Sequence, residues 1–180
     1  MAKLVGLSGS LRAASFNTGL LRAAAELVPE GSSLTVATPE GIPLYNADLE
    51  REAGMPEAVE RLKAQIIAAD ALLLATPEYN NGIPGVLKNA IDWLSRPYGT
   101  GALTGKPVAV LSAALGQYGG AWTREDTRKS VGIAGGRAIA EADLGLQLAA
   151  LPEAGLDSPE VVEKVVASVT RLVDEVAVSA

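Results

Sequence analysis

The chain contains no cysteine and no histidine. Without cysteine there is no disulfide, no thiolate nucleophile, no iron–sulfur ligation and no cysteine-bound zinc. Without histidine the commonest general base and transition-metal ligand is missing. Chemistry must rest on hydroxyls, carboxylates, Lys or Arg, or on a bound cofactor that carries the reaction. Aromatic residues are also scarce, 4% of 180 residues, so the core is aliphatic and a ring placed in a loop stands out. Basic side chains are outnumbered, 15 Lys and Arg against 21 Asp and Glu, for a net charge of −6 and a pI near 4.7. This balance opposes nucleic acid and anionic membrane surfaces as partners, because both select basic patches. No apolar run approaches the ~20 residues of a membrane span. Met1-Ala2-Lys3 leads straight into a strand-like segment with no secretory apolar region, so the expected location is the cytoplasm.

What is present is 48% apolar residues, mostly Leu, Val, Ala and Ile. A chain of this length suffices for one domain with a sizeable core. Apolar runs alternate with amphipathic stretches. Leu4–Leu7 reads as a strand and Asn17–Leu27 as a helix with Leu20, Leu21, Ala24 and Leu27 on one face. Leu34–Ala37 is a second strand, and a Pro- and Gly-punctuated stretch, Thr38–Met55, is too long for a plain connector. Pro56–Ala69 reads as a helix, Ala71–Ala75 as strand three, Val86–Leu94 as a helix and Pro107–Leu111 as strand four. Thr123–Ile133 reads as a helix of mixed charge, Arg137–Glu141 as the fifth strand, and Ser158-Pro159-Glu160 opens a last helix running to about Val176. The expectation is an α/β fold whose five-stranded parallel sheet, in the order 2-1-3-4-5, is covered by helices on both faces.

Two strand-to-helix loops carry the chemistry. The first, Gly6-Leu7-Ser8-Gly9-Ser10-Leu11-Arg12 onward to Thr18, places small and hydroxyl residues where a helix begins. Free N–H groups and the positive helix end make such a place an anion site. Ser10, Ser15, Asn17 and Thr18 add side-chain donors and Arg12 adds charge, although Ser15 or Asn17 could instead cap the helix. Gly6 and Gly9 do not match a dinucleotide fingerprint, and no Gly-Lys-Ser/Thr ending marks a P-loop. The donor set suits a terminal phosphate monoester. The second loop, Pro77-Glu78-Tyr79-Asn80-Asn81-Gly82-Ile83-Pro84-Gly85, offers an aromatic ring and rigid backbone amides for a flat heterocycle. Glu78 reads either as an acid or as a structural contact, and Trp93 as a helix-interface or subunit-contact residue. Strand four ends near Ser112, followed by a Gly-rich loop that lets backbone approach a ligand edge.

Together, Gly9-Ser10-Leu11-Arg12 with Ser15 and Asn17, then Pro77-Glu78-Tyr79-Asn80 with Pro84-Gly85 and Lys88-Asn89-Ala90-Ile91-Asp92-Trp93, resemble the NADPH-dependent FMN reductase family. The likeness runs from strand one to about Gly120. It implies a flavodoxin-like three-layer sandwich that binds FMN and takes NADPH or NADH as co-substrate. The acceptor it implies is a small molecule: a quinone, free flavin, an azo compound or a metal oxyanion. By the same resemblance, Ser10, Arg12, Ser15, Asn17 and Thr18 hold the FMN phosphate. Pro77, Glu78, Tyr79 and Asn80 contact the ring, largely through backbone, and Ser112 completes the site. Ala113-Ala114-Leu115 departs from the family's usual spacing and leaves Gly116, Gly119 and Gly120 open as contacts. The resemblance also implies a homodimer or homotetramer, with residues 51–54 and the helix after Pro84 as interface elements. Rival expectations are a non-enzymatic flavodoxin-type carrier and a flavin-free phosphate-ligand binder.

Overall fold

The computed structural model describes residues 1–52 and 54–179; Ala53, within the segment expected at a subunit contact, lies outside them. Strands β1 (Lys3–Ser8), β2 (Ser33–Ala37), β3 (Ala71–Thr76) and β4 (Pro107–Ala114) pair in parallel, in the doubly wound order β2-β1-β3-β4. Beyond β4 the expected fifth strand is split. β5 (Arg137–Ala138) pairs with the start of β4, and β6 (Leu144–Gln147) pairs with its end. Only two residues of the expected Arg137–Glu141 strand join the sheet, because a 3₁₀ turn at Ala140–Ala142 lifts the chain out of the ladder. The gap is bridged by a side chain: Asp143 Oδ1 accepts from the Val110 N–H at 2.8 Å, and the other oxygen pairs with Arg128.

Helices α1 (Phe16–Leu27) and α6 (Pro159–Ser179) cover one face of the sheet. α3 (Glu57–Ala68), α4 (Gly85–Leu94) and α5 (Ala121–Ile133) cover the other. Strand periodicity divides the core accordingly. Leu73, Leu111 and Leu144 pack with Leu20, Leu21, Val165 and Val169, whereas Leu72, Leu74, Val108 and Val110 pack with Leu62, Ile66, Leu87 and Ile91. The long stretch after β2 contains a short helix, α2 (Ala47–Glu52), begun by the Asn46 side chain accepting from the Asp48 N–H. That stretch is pinned by α4. Asn89 accepts from the Tyr45 N–H and donates to Pro43 O, and Trp93 Nε1 donates to the same carbonyl at 2.8 Å. Trp93 is therefore fully buried within the chain, at a helix–loop contact and not at a subunit surface.

Burial pushes the Asp143 carboxyl above its usual pKa, outweighing the opposing pull of the Val110 N–H and Arg128. A carboxyl whose folded value is raised contributes stability at low pH that fades as pH rises through that value. Asp143→Asn keeps the acceptor for Val110 and cannot ionise. Urea unfolding should show the variant gaining on the parent as pH climbs from about 3 toward neutral, then no further change. A difference that moves the other way would overturn this account of the bridge.

Candidate functional site

The loops that follow β1, β3 and β4 meet at the carboxyl edge of the sheet and enclose a cavity of about 540 Å³. That is the size expected of a cofactor site, at the expected topological switch. A second hollow of about 350 Å³ lies near the opposite edge, between the ends of α4 and α5. Its charged Lys88 and Asp92 already pair with each other.

The loop after β1 is folded by its own hydroxyls. The Gly9 N–H bonds Ala75 O at 2.7 Å, holding the loop against β3, and a Cβ at Gly9 would press on Thr76 at 3.0 Å. Ser10 Oγ accepts from the Arg12 N–H, and Ser15 Oγ caps α1 by accepting from the Thr18 N–H. Ser10, Arg12, Ser15 and Asn17 line the cavity. Arg12 is exposed and has no carboxylate partner among the described residues, so its charge is available to a ligand. Thr18 is not on the cavity wall, because its hydroxyl is 2.7 Å from Ser8 Oγ and ties helix to strand. Asn17 is on the wall, but its carboxamide is occupied. Nδ2 donates to Ala113 O at 3.0 Å and Oδ1 accepts from the Ala113 N–H at 2.9 Å.

The loop after β3 forms a tight two-residue turn. Tyr79 and Gly82 exchange both backbone hydrogen bonds, with Asn80 and Asn81 at φ +51° and +57°. Two consecutive left-handed residues define a type I′ turn, which asparagine tolerates far better than branched residues. Asn81→Val should cost about 1–2 kcal/mol in a urea melt, the strain of a branched residue held at positive φ; an unchanged midpoint would contradict the turn's role. Pro77, Glu78, Tyr79 and Asn80 all line the cavity, as does Asn81. Tyr79 is half exposed. Glu78 makes the structural contact, its Oε2 accepting from the Thr123 N–H at 3.0 Å in the first turn of α5. A carboxylate there also complements the positive end of the helix.

The third loop differs from expectation. Ser112 is fully buried and is absent from the cavity wall, because its hydroxyl donates to Gly119 O at 2.6 Å and accepts from Arg124. The wall is built one step further along the chain, by Ala113, Ala114, Leu115 and Gly116. Gly119 and Gly120 instead form the turn that Ser112 holds. Phe16 and Leu148 complete the lining, and sequence reasoning missed both. Leu148 follows β6, whose alternating Leu144 and Leu146 were the available signal.

The sequence profile of NADPH-dependent FMN reductases matches residues 2–150 of this chain. An NAD(P)H-dependent FMN reductase of Pseudomonas aeruginosa is 51% identical over 129 residues, 72% of this chain and 69% of that protein. A quinone reductase of Pseudomonas putida is 46% identical over 123 residues, 68% of this chain and 66% of its own length. These alignments therefore take in about two thirds of the relatives. Among solved structures, FerB of Paracoccus denitrificans, a flavoenzyme NAD(P)H:(acceptor) oxidoreductase, superposes with a TM-score of 0.86 at 31% identity, covering 98% of each chain.

Proposed function

Because the chain belongs to the NADPH-dependent FMN reductase family, we propose that it is an FMN-dependent oxidoreductase that passes electrons from NAD(P)H to a small-molecule acceptor. The observation that carries the reading is a single cavity lined both by Ser10, Arg12 and Ser15, around the start of α1, and by the Pro77–Asn81 turn. The donor set fits a phosphate monoester. It combines one guanidinium with no carboxylate partner among the described residues, two hydroxyls, and the Phe16 and Asn17 N–H groups at the start of α1, the Thr18 N–H being taken by Ser15. The fixed backbone of the type I′ turn, with Pro77–Asn80 along the lining, suits a planar ring.

FMN held there supplies the two-electron exchange between NAD(P)H and the acceptor. The chain's own work is binding and orientation. Arg12, Ser10 and Ser15 hold the phosphate; the backbone of Pro77, Glu78, Tyr79 and Asn80 sets the plane and polarity of the ring's surroundings. Asn17 keeps the phosphate helix and the third loop in fixed relation through Ala113. Glu78 Oε2 is engaged with the first turn of α5, where it braces the ring loop. A chain without histidine is consistent with that division of labour.

Quinones are the first acceptor class to test, with free flavin, azo compounds and metal oxyanions behind them. We read the chain as a single flavin-binding domain working as a cytoplasmic homodimer or homotetramer. Among the described residues no helix is long and apolar enough to cross a membrane. The purified protein should show a flavin absorbance spectrum, release FMN on denaturation and oxidise NAD(P)H when a quinone is supplied. A colourless protein that gains no flavin on titration would overturn the reading. A flavin-bound protein that leaves NAD(P)H untouched would be a carrier.

A further inference from the structure

Arg124, in the first turn of α5, has no part in the cavity wall, yet its guanidinium is placed with unusual care. NH1 donates to Ser112 Oγ at 2.5 Å and to Gly119 O at 2.6 Å, while Ser112 Oγ donates to the same carbonyl at 2.6 Å. The three groups close a ring in which both N–H bonds of NH1 and both lone pairs of Gly119 O are used. Space for it comes from Gly145, the register partner of Ser112 across β4 and β6. Cross-strand partners share a face, and a Cβ at Gly145 would lie 2.1 Å from Arg124 NH1. Arg124 thus occupies the volume that a side chain on β6 would fill. Gly119, at φ +55°, passes close above β6 and closes a turn back to Gly116, a residue of the cavity wall.

The geometry assigns Arg124 as a positioning residue: seated over Gly145 and tied to Ser112 and Gly119, it fixes the third loop in the shape that walls the cofactor cavity. The cofactor part of this inference rests on the flavin reading above; the loop part does not. Gly145→Ala is the clean test, because Gly145 is exposed, its backbone is not left-handed, and alanine there evicts the guanidinium without touching the cavity.

Hydrogen exchange on the apoprotein should show amides of residues 116–120 exchanging about tenfold faster in Gly145→Ala and in Arg124→Met, with the β1, β3 and β4 amides unchanged. FMN titration followed by flavin fluorescence should show a dissociation constant raised about tenfold in each single variant. The double variant should be no weaker than Arg124→Met, since both act through one contact. Unchanged loop exchange in Gly145→Ala, or losses that add in the double variant, would overturn the assignment. Faster exchange with parental FMN affinity would remove the loop's role toward the cofactor. A parent protein that takes up no FMN would sink the flavin reading and that cofactor role with it, while loop exchange would still decide the tie itself.

Discussion

Replacing Arg12 with alanine should leave the fold intact and cost the protein most of its grip on FMN. The side chain is exposed and pairs with no carboxylate among the described residues, so its removal exposes no buried group and breaks no ion pair. Its expected contribution is a charge-assisted contact to a dianion beside a helix start, about 1.5–3 kcal/mol. That corresponds to an FMN dissociation constant roughly tenfold to a hundredfold higher. Riboflavin separates phosphate binding from ring binding, because it has the same ring without the phosphate. The parent apoprotein should prefer FMN to riboflavin strongly, and Arg12→Ala should lose most of that preference by weakening FMN alone. Arg12→Lys should fall between, keeping the charge and losing the planar fork of donors. If both flavins weaken equally, Arg12 does not hold the phosphate. Added salt should narrow the gap between parent and Arg12→Ala, as expected of an exposed charge.

The elements that sequence made legible are those whose pattern matches a single period. β3 is buried at every position, as a central parallel strand must be, and its apolar run is visible in Ala71–Ala75. α1 and α3 show their inward stripes plainly. The failures have physical causes. The fifth strand falls short of its expected length because the chain turns at Ala140–Ala142 and the Asp143 side chain supplies the next bond to β4, and the resumed strand β6 is only four residues long. α2 was hidden by the prolines and glycines around it, although Asn46 ahead of Ala47–Glu52 is a helix start signal. Within the site, Ser10, Arg12, Ser15, Asn17 and Pro77–Asn80 line the cavity. Thr18 and Ser112 do not, because small polar residues serve equally as ligands and as ties between strand and helix. Composition looks the same in both roles; only the location of each hydroxyl's partner tells them apart.

Asn17 shows the largest consequence of that distinction. It is 3% exposed, and its carboxamide meets both the N–H and the C=O of Ala113, one donor to one acceptor in each direction. Asn17→Leu should fill the space and leave two buried backbone groups unpaired, at about 1–3 kcal/mol each. Against a typical total of ~5–15 kcal/mol, that loss is severe. Asn17→Asp makes the argument specific. An ionised carboxylate still accepts from the Ala113 N–H, but it faces the Ala113 carbonyl with no donor and sits in a buried place. Its protonated form restores one donor and one acceptor. Burial and the facing carbonyl both raise the carboxyl's folded pKa, so its contribution is present at low pH and lost as pH rises through that value. Measured against the parent at each pH, the Asn17→Asp deficit in urea or thermal unfolding should shrink on acidification, whereas the Asn17→Leu deficit should stay constant. FMN affinity should follow the same pH-dependent recovery in Asn17→Asp, because the tie joins the phosphate helix to the strand that leads into the third loop. Equal deficits for the two variants at every pH would show that the paired hydrogen bonds to Ala113 are not what holds these two parts of the site together.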